Sequence, residues 1–152
     1  MRVVHCPVSI AGQAWAYARA VERFGALAHV VTFAPHPFGF PEDRCLNLNR
    51  GIAKSRPVRW AKLLSCLIGL IKDYDLVHFH FAASVLPGYR DLKLLRAMGK
   101  PMVMSFWGSD ARLGIEATRL NPFLHLVEGY SRDDDRIKEK LRTIARYIEV
   151  AI

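Results

Sequence analysis

The sequence lacks the features that mark several large classes of protein. No run reaches the roughly 20 apolar residues that a bilayer-spanning helix needs, because the longest candidate, Leu63 to Ile71, is bounded by Lys62 and Lys72. The N-terminus lacks the basic, apolar and small-residue order of a secretory signal. The three cysteines are an odd number without a C-x-x-C spacing, which argues against a disulfide framework and a four-ligand zinc site. We therefore expect a cytoplasmic protein with reduced thiols.

Two glycine-rich nucleotide-binding motifs are also missing. The loop after the first predicted strand has one glycine at its turn, Gly12, so it carries neither G-x-G-x-x-G nor G-x-x-x-x-G-K-[ST]. Those motifs bring backbone amides against phosphates in stand-alone dehydrogenases and nucleotide hydrolases. Both classes are disfavoured, and no cofactor is expected.

The composition is that of a single folded domain with an excess of basic charge. The 152 residues are 51% apolar and 11% aromatic, which is enough to build one core. Lysine and arginine exceed aspartate and glutamate by 22 to 14, so the formal charge is +8, and phosphate-bearing partners or an anionic membrane face are attracted. Nucleic acid is not expected as a partner, because the basic residues are not interleaved with aromatic residues in a stripe.

Two stretches concentrate the basic residues. The first stretch contains Arg50, Lys54, Arg56, Arg59 and Lys62. The second contains Arg132, Arg136, Lys138, Lys140, Arg142 and Arg146. A charge run of the second kind is typical of a solvated helix face.

Short β-branched runs alternate with segments of helical period along the chain. The predicted strands are Arg2 to Cys6, Leu27 to Phe33, Asp75 to Phe81, Pro101 to Phe106 and Tyr147 to Ile152. The predicted helices are Gln13 to Phe24 (ended by Gly25), Val58 to Lys72, Asp91 to Met98, one opened by Asn121-Pro122, and one opened by Ser131 and ending near Arg146. Residues Ala34 to Pro57 are predicted as an irregular loop with at most a short strand near Arg44 to Leu48. This alternation predicts an α/β fold, a Rossmann-like parallel sheet flanked by helices.

The last predicted strand, Tyr147 to Ile152, is apolar and nothing follows it. A doubly wound sheet does not normally finish in this way, because the neighbouring surface would stay uncovered. We expect the 152 residues to be the front half of something longer, or a subunit that is completed by a partner.

The topology directs attention to three loops. Ligands of open parallel sheets bind beyond the carboxyl ends of the strands, which here are followed by the loops Pro7 to Gln13, Phe81 to Tyr89 and Phe106 to Arg112. Asp110 and Arg112 lie in the last of these loops, where binding is favoured by location and an ion pair or a helix cap is the alternative.

Two histidines lie on the strand that precedes the second loop. His78 and His80 are two residues apart, so they point to the same face, and His80 is nearer the carboxyl end. His80 is therefore the better site candidate. The alternative for each is a buried histidine satisfied by a backbone carbonyl. Two histidines without a third ligand at an evident spacing do not predict a metal site.

Four segments of the sequence carry a resemblance to a known family. They read Asp75-Leu-Val-His-Phe-His-Phe81, Ser84-Val-Leu-Pro87, Asp91-Leu-Lys-Leu-Leu-Arg96 with Gly99-Lys-Pro101, and Ser105-Phe-Trp-Gly-Ser-Asp-Ala-Arg112. Together with Ile10-Ala11-Gly12-Gln13 and Arg23-Phe-Gly25, they resemble the N-terminal half of family 4 retaining glycosyltransferases, enzymes of the GT-B class. The resemblance spans nearly the whole chain, and the Gly-Ser-Asp-x-Arg loop is its most specific part.

The resemblance implies that residues 1–152 form the N-terminal, acceptor-side domain, and that the C-terminal domain that binds most of the donor is absent. It suggests His80 and Asp110 as catalytic residues. It suggests as substrate-binding residues Gly12, Gln13, Trp107, Gly108, Ser109 and Arg112. Trp107 stands where the family commonly has a histidine, so that histidine's role is not carried over, and the indole could only stack on a sugar ring or a base.

The implied reaction moves a hexose from a nucleoside diphosphate sugar to a hydroxyl of a carbohydrate or lipid-linked acceptor with retention of configuration. Basic side chains and backbone amides would stabilise the departing diphosphate. Without the donor domain, the chain alone is expected to transfer little or no sugar.

A binding module without catalytic activity is the alternative to the enzyme. It would dock a partner, or an anionic membrane at the inner face. The helix from Val58 to Lys72 favours the membrane, because Arg56, Arg59 and Lys62 flank Trp60 at one end of an amphipathic segment. Covering the sheet is the simpler role for that helix.

Overall fold

A computed structural model of the chain describes residues 1–49, 51–121, 123–124 and 133–152. Within these ranges six strands form one sheet. They are β1 (Arg2–Cys6), β2 (Leu27–Thr32), β3 (Arg44–Cys45), β4 (Leu76–His80), β5 (Met102–Ser105) and β6 (Val150–Ala151). Their order across the sheet is β3-β2-β1-β4-β5-β6, and every neighbouring pair is parallel. The fold is therefore α/β and Rossmann-like, as the alternation of elements predicts.

Helices connect the strands and cover both faces of the sheet. They are α1 (Gln13–Glu22), α2 (Arg56–Asp73), α3 (Arg90–Ala97), α4 (Gly114–Leu120) and α5 (Asp134–Ala145), with short 3-10 turns at Gly51–Lys54 and Pro87–Tyr89. Along the described part of the chain, no helix is both long enough and apolar enough to cross a membrane.

The two faces of the sheet bury different side chains because successive strand residues point to opposite sides. On the larger face, Val77 and Phe79 of β4 belong to one core with α2, α3 and α5, which supply leucines and Ile144. On the other face, Val3 packs against the small residues Ala14 and Ala18 of α1. The alternation places the histidines of β1 and β4 on this second, α1-covered face.

Most predicted elements are confirmed, with ends that differ by a few residues. The edge strand β3 is limited to Arg44–Cys45, and the last strand to Val150–Ala151. The helix predicted to start at Val58 begins at Arg56, because Pro57 fits the first helical turn, where its missing N–H costs no hydrogen bond. Gly25 follows α1 with the expected left-handed backbone, φ 81°.

The sequence does not predict α4. It starts at a glycine, and its cap residue Leu113 has no polar side chain that could accept from the first amides. The missing acceptor comes from the next helix, since the Asp134 carboxylate accepts from the amides of Gly114 and Ile115. A cap supplied from 20 residues away leaves no local signal.

Two predicted helix starts fall in the last third of the chain. The helix predicted at Asn121-Pro122, and the cap predicted at Ser131, involve residues outside the described ranges. The helix α5 instead has Asp133 as its N-cap, which accepts from Arg136 N at 3.0 Å.

Candidate functional site

The site lies where the order of the strands reverses. β1 lies between β2 and β4 in the sheet. From β1 the chain first builds β2 and β3 on one side, and then crosses over to build β4, β5 and β6 on the other side. The loops that follow β1 and β4 therefore leave in opposite directions and open a crevice at the carboxyl end of the sheet. Two groups of side chains meet near this edge, a buried histidine cluster and a polar cleft.

The histidine cluster consists of His5, His78 and His80. His5 on β1 is the register partner of His78 on β4, and His80 lies one position further along the same face. The ring centroids are 4.2 Å apart for His78 and His80, 4.9 Å for His5 and His78, and 5.4 Å for His5 and His80. All three side chains are buried. Adjacent parallel strands thus bring together imidazoles from distant parts of the sequence.

Hydrogen bonds account for only part of the polar atoms of this cluster. His5 Nδ1 lies 3.1 Å from His80 Nε2, and His78 Nε2 lies 2.6 Å from Ser105 Oγ. His5 Nε2 and His80 Nδ1 are buried and have no hydrogen-bond partner among the described residues. Such atoms are uncommon in folded proteins, because each loses its hydration without compensation.

Burial keeps the three imidazoles neutral. It lowers the pKa of His80 to about 2, with smaller contributions from His78 and His5. It lowers the pKa of His5 to about 3, assisted by His78 and Arg19, and the pKa of His78 to about 4. A neutral imidazole has one N–H and one free lone pair, so the cluster retains acceptor capacity across the physiological range.

Two aromatic side chains cover the cluster. The Tyr17 ring from α1 lies 5.5 to 6.3 Å from the three imidazoles. Trp107, from the loop after β5, lies 5.9 Å from Tyr17 and 6.4 Å from His80. The indole is thus packed toward the cluster, and its Nε1 is buried without a partner among the described residues.

The loop from Trp107 to Arg112 is held by its own polar groups. Asp110 is 3% exposed and accepts from Trp107 N at 2.9 Å through Oδ1, while Oδ2 has no partner in the described part of the chain. Gly108 adopts φ 112°, which a residue with a side chain rarely does. Its carbonyl accepts from Ala111 N at 3.0 Å and from Arg112 N at 2.6 Å. The sequence predicts Asp110 as a binding residue, with an ion pair or a helix cap as the alternative. The hydrogen bond shows that Asp110 closes the turn.

A polar cleft of about 790 Å³ lies beside this loop. Its walls come from the 3-10 turn at Pro87–Tyr89, the Trp107 to Arg112 loop and α5. The charged residues that line it are Arg112, Arg136, Lys140, Asp133 and Glu139, and the other polar ones are Tyr89, Ser109 and Thr143. The cleft thus combines three cations, two carboxylates and three hydroxyl groups at the carboxyl end of the sheet.

Partial burial alters two of the groups that line the cleft. Burial lowers the pKa of Lys140, the Asp110 carboxylate opposes this, and Arg136 adds to it. Burial also raises the pKa of the Tyr89 phenol, with Arg136 acting against the shift and Asp110 for it. The charge of Asp110 therefore reaches the cleft although the carboxylate itself lies behind it.

The structure divides six of the eight residues predicted from the sequence into two groups. Ser109 and Arg112 line the cleft, and Asp110 and Gly108 shape the loop beside it. His80 and Trp107 belong instead to the histidine cluster.

Gly12 and Gln13 lie at the start of α1, away from the cleft walls. Gly12 has φ 74°, and the Phe40 ring lies so close that a Cβ would come within 2.8 Å of it. Gln13 is exposed, and its backbone amide donates to Ile10 O at 2.9 Å. The turn glycine is thus required by its backbone and by Phe40.

Sequence reasoning misses several residues of the cluster and the cleft, among them His5, Tyr17, Arg136 and Lys140. His5 sits at the end of a strand pattern, but its proximity to His78 depends on which strands pair. Arg136 and Lys140 are placed on a solvated helix face by the sequence, whereas the helical spacing of four aligns both on the side of α5 that faces the cleft. Arg132, from the same basic run, lies outside the described residues.

Comparison of the sequence with models of known protein families, and with curated proteins, finds no match. The resemblance to glycosyltransferases therefore stays a prediction from the sequence.

Proposed function

We propose that this chain is the acceptor-binding half of a retaining glycosyltransferase that moves a hexose from a nucleoside diphosphate sugar. The observation that carries the proposal is the cleft of about 790 Å³ at the carboxyl end of the sheet, lined by Arg112, Arg136 and Lys140. Its volume suits a small polar ligand. Its position at the carboxyl edge is where α/β folds bind their ligands.

The groups that line the cleft suit an acceptor that carries both hydroxyl groups and negative charge. Tyr89, Ser109 and Thr143 offer hydroxyls for hydrogen bonds to a sugar. The guanidinium groups of Arg112 and Arg136 can bind a phosphate or carboxylate through two parallel bonds. The carboxylates that line the cleft offset part of the positive charge and can accept from sugar hydroxyls.

The predicted catalytic pair separates into two different roles within this proposal. Asp110 closes the loop that presents Ser109 and Arg112, and its second carboxylate oxygen is not used within the described residues. His80 is only 1% exposed, so in this proposal it does not contact the acceptor. Its ring instead packs against the indole of Trp107. The donor would be held largely by a second domain, and basic side chains would stabilise its leaving diphosphate.

The binding part of this proposal is testable on the chain alone. Saturation-transfer NMR and calorimetry with sugar phosphates, neutral sugars and nucleoside diphosphate sugars should show binding of the phosphate-bearing ligands. Arg136→Gln should weaken that binding about 10- to 100-fold, the worth of one charged hydrogen bond. Arg142→Gln is the matched control, because Arg142 lies on the same helix, is exposed and does not line the cleft. Equal effects of the two substitutions would contradict the proposal.

Docking on an anionic membrane is a second candidate function, favoured by one face of α2. Trp60, Leu64 and Ile68 are four residues apart and are 37%, 48% and 51% exposed. A groove of about 450 Å³ at the same end of the helix is lined by Arg56, Arg59 and Arg90 beside Trp60. An apolar stripe with arginines at one end is the pattern of helices that lie in a lipid interface.

The structure removes one of the basic residues predicted for this membrane surface. Lys62 does not join the arginines, because its ammonium donates to Leu46 O at 2.6 Å. The groove and the cleft both contact Gly88, so a lipid-linked acceptor could extend from one to the other.

Co-sedimentation with phosphatidylglycerol vesicles tests the membrane candidate. Binding should fall with added salt and be lost on Leu64→Gln with Ile68→Gln. Leu94→Gln on α3 is the control, since Leu94 is 43% exposed but lies on another helix. Equal sedimentation with anionic vesicles and with phosphatidylcholine alone would exclude charge-driven docking.

A further inference from the structure

The histidine cluster has the composition of a metal site, and the sequence spacing alone does not reveal it. His5, His78 and His80 each offer one ring nitrogen, and these nitrogens all lie within 4.8 Å of one another. We propose that the three imidazoles bind one divalent transition-metal ion, with Zn²⁺ as the expected occupant, and that the ion joins β1 to β4. This site is independent of the polar cleft and of the proposed transferase function.

The spacing of the nitrogens is close to that of a coordination shell. Zinc binds imidazole nitrogen at about 2.0–2.1 Å, so two nitrogens on one tetrahedral ion are separated by about 3.4 Å. The distance from His5 Nδ1 to His80 Nε2 is 3.1 Å. The outer limit of 4.8 Å for the set means that small ring rotations would bring the third nitrogen into place.

The hydrogen-bond pattern of the cluster provides a second observation. His5 Nε2 and His80 Nδ1 are buried without a partner among the described residues, in side chains that are each 1% exposed. The contact that joins His5 to His80 uses the opposite nitrogens, His5 Nδ1 and His80 Nε2. An ion between the rings would be bound by these two facing nitrogens in place of their mutual hydrogen bond, and each opposite nitrogen would then carry the N–H of its neutral imidazole.

The surroundings resemble the outer shell that metal-binding histidines require. His78 Nε2 is 2.6 Å from Ser105 Oγ, so its other nitrogen, Nδ1, is the one available to an ion. A hydrogen bond on the second nitrogen orients the ring and fixes its tautomer. Tyr17 and Trp107 cover the cluster, which shields the site from bulk water.

The donor set selects the class of ion. Three imidazole nitrogens without a carboxylate favour Zn²⁺, Co²⁺, Ni²⁺ and Cu²⁺ over Mg²⁺ and Ca²⁺, which prefer oxygen. Zinc sites with three histidine ligands and water or substrate at the fourth coordination position are known. Two histidines from one strand at positions i and i+2, with a third from the next strand, supply such a set from a rigid sheet.

The first test uses the unaltered chain. The chain is freed of metal with a chelator, dialysed and titrated with Zn²⁺ while the ring ¹⁵N resonances of its histidines are followed. One equivalent should shift the signals of His5, His78 and His80 and raise the melting temperature. Shifts confined to the other histidines of the chain, or no shift at all, would overturn the proposal.

Variants then assign the ligands. His78→Gln and His80→Gln should each reduce the affinity for Zn²⁺ by at least about 100-fold, and Ser105→Ala by about 10- to 100-fold, the usual cost of removing an outer-shell partner. The matched controls are His29→Gln and His36→Gln, which should leave the affinity unchanged. A folded His80→Gln chain that binds Zn²⁺ as tightly as the unaltered chain would exclude the site. Should that variant not fold, the ring spectra of the unaltered chain decide.

Co²⁺ provides a check on the coordination geometry. Bound in place of Zn²⁺, it should give the intense visible absorption of a four-coordinate ion in the unaltered chain and in His29→Gln. The weak absorption of a six-coordinate, largely hydrated ion would contradict a three-imidazole site.

Discussion

At the scale of single residues, two glycines share a backbone conformation but not an environment. Gly12 and Gly25 have φ of +74° and +81°, a region that costs residues with a side chain roughly 1–2 kcal/mol. A Cβ placed on Gly25 would have no described atom within 4 Å, whereas a Cβ on Gly12 would lie 2.8 Å from the Phe40 ring. The two sites therefore separate the cost of the backbone from the cost of crowding.

Alanine substitutions should show this difference. Gly25→Ala should lower the free energy of unfolding by about 1–2 kcal/mol through its backbone alone. Gly12→Ala should lower it further, because Phe40 must move. In the Phe40→Ala background, the cost of Gly12→Ala should fall to that of Gly25→Ala, a coupling of about 0.5–1 kcal/mol. Urea unfolding measures the free energy of unfolding of all four variants. If Gly12→Ala lowers it equally with and without the Phe40 side chain, the ring moves aside at no cost and the proposed crowding is excluded.

At the scale of elements, the pairing of β1 with β4 forms one buried row of histidines on the face that α1 covers. His5 is opposite His78 in the register of β1 and β4, and His80 extends the row toward the carboxyl edge. Tyr17 of α1 and Ser105 of β5 contact the cluster, and Arg19 adds positive charge near His5. The neutral state of all three imidazoles is thus a condition for packing α1 on this face.

This burial predicts acid sensitivity of the metal-free chain. Burial places the folded-state pKa of the three histidines at about 2 to 4, below the value of about 6.5 for an unfolded chain. Their contribution to stability is therefore complete above about pH 6.5 and is lost as the pH falls toward the folded-state values. Three protons taken up on unfolding give a slope of up to about 4 kcal/mol per pH unit near pH 5.

Unfolding by urea between about pH 7.5 and 4.5, with chelator present, measures this slope. His78→Gln should reduce it by about 1.4 kcal/mol per unit, one proton's share. His29→Gln is the matched control, a substitution of an exposed histidine outside the cluster. The same slope in His78→Gln and in the unaltered chain would contradict the neutral, buried state.

The elements also show what a sequence can and cannot predict. The strands and four of the helices, α1, α2, α3 and α5, follow from periodicity, from first-turn carboxylates and from stops such as Gly25, since those signals are local. The start of α4 depends on the Asp134 carboxylate from another helix, and the third histidine depends on the pairing of β1 with β4. Both are contacts between distant parts of the chain, which local patterns do not encode.

The residues of the candidate site also divide into those that local signals predict and those that depend on contacts between distant parts of the chain. The crevice loops could be located because parallel sheets bind ligands at one edge, and Ser109 and Arg112 do line the cleft. The grouping of His80 with Trp107, instead of with the cleft, could not be predicted, because it depends on how α1 and the loop after β5 pack.

At the scale of the whole molecule, the proposed function assigns acceptor binding to this chain and donor binding to a second domain. The cleft lies at the carboxyl end of the sheet, between the turn at Pro87–Tyr89, the Trp107 to Arg112 loop and α5. In the proposed enzyme, the donor held by the second domain would lie against this cleft.

The 152-residue chain should accordingly transfer no sugar on its own. Incubated with UDP-glucose, UDP-N-acetylglucosamine or GDP-mannose and the acceptor identified in the binding experiments, it should release nucleoside diphosphate no faster than buffer does. The same preparation should bind that acceptor, and Arg136→Gln should weaken this binding. This control shows that the chain is folded and able to bind its acceptor. Turnover by the purified chain would show that the donor site lies within these residues.

The position of the first strand in the middle of the sheet also affects how the chain is made. Val3 pairs with Ala28 on one side but with Leu76 on the other, so one edge of the first strand has no partner until the fourth strand leaves the ribosome. At about 5–20 residues per second, that interval is about 4–15 s. During those seconds the nascent chain exposes the unpaired backbone N–H and C=O groups of that edge, with which other chains or a chaperone could pair. Cellular yield should therefore depend on chaperone supply more than the equilibrium stability of the finished fold suggests.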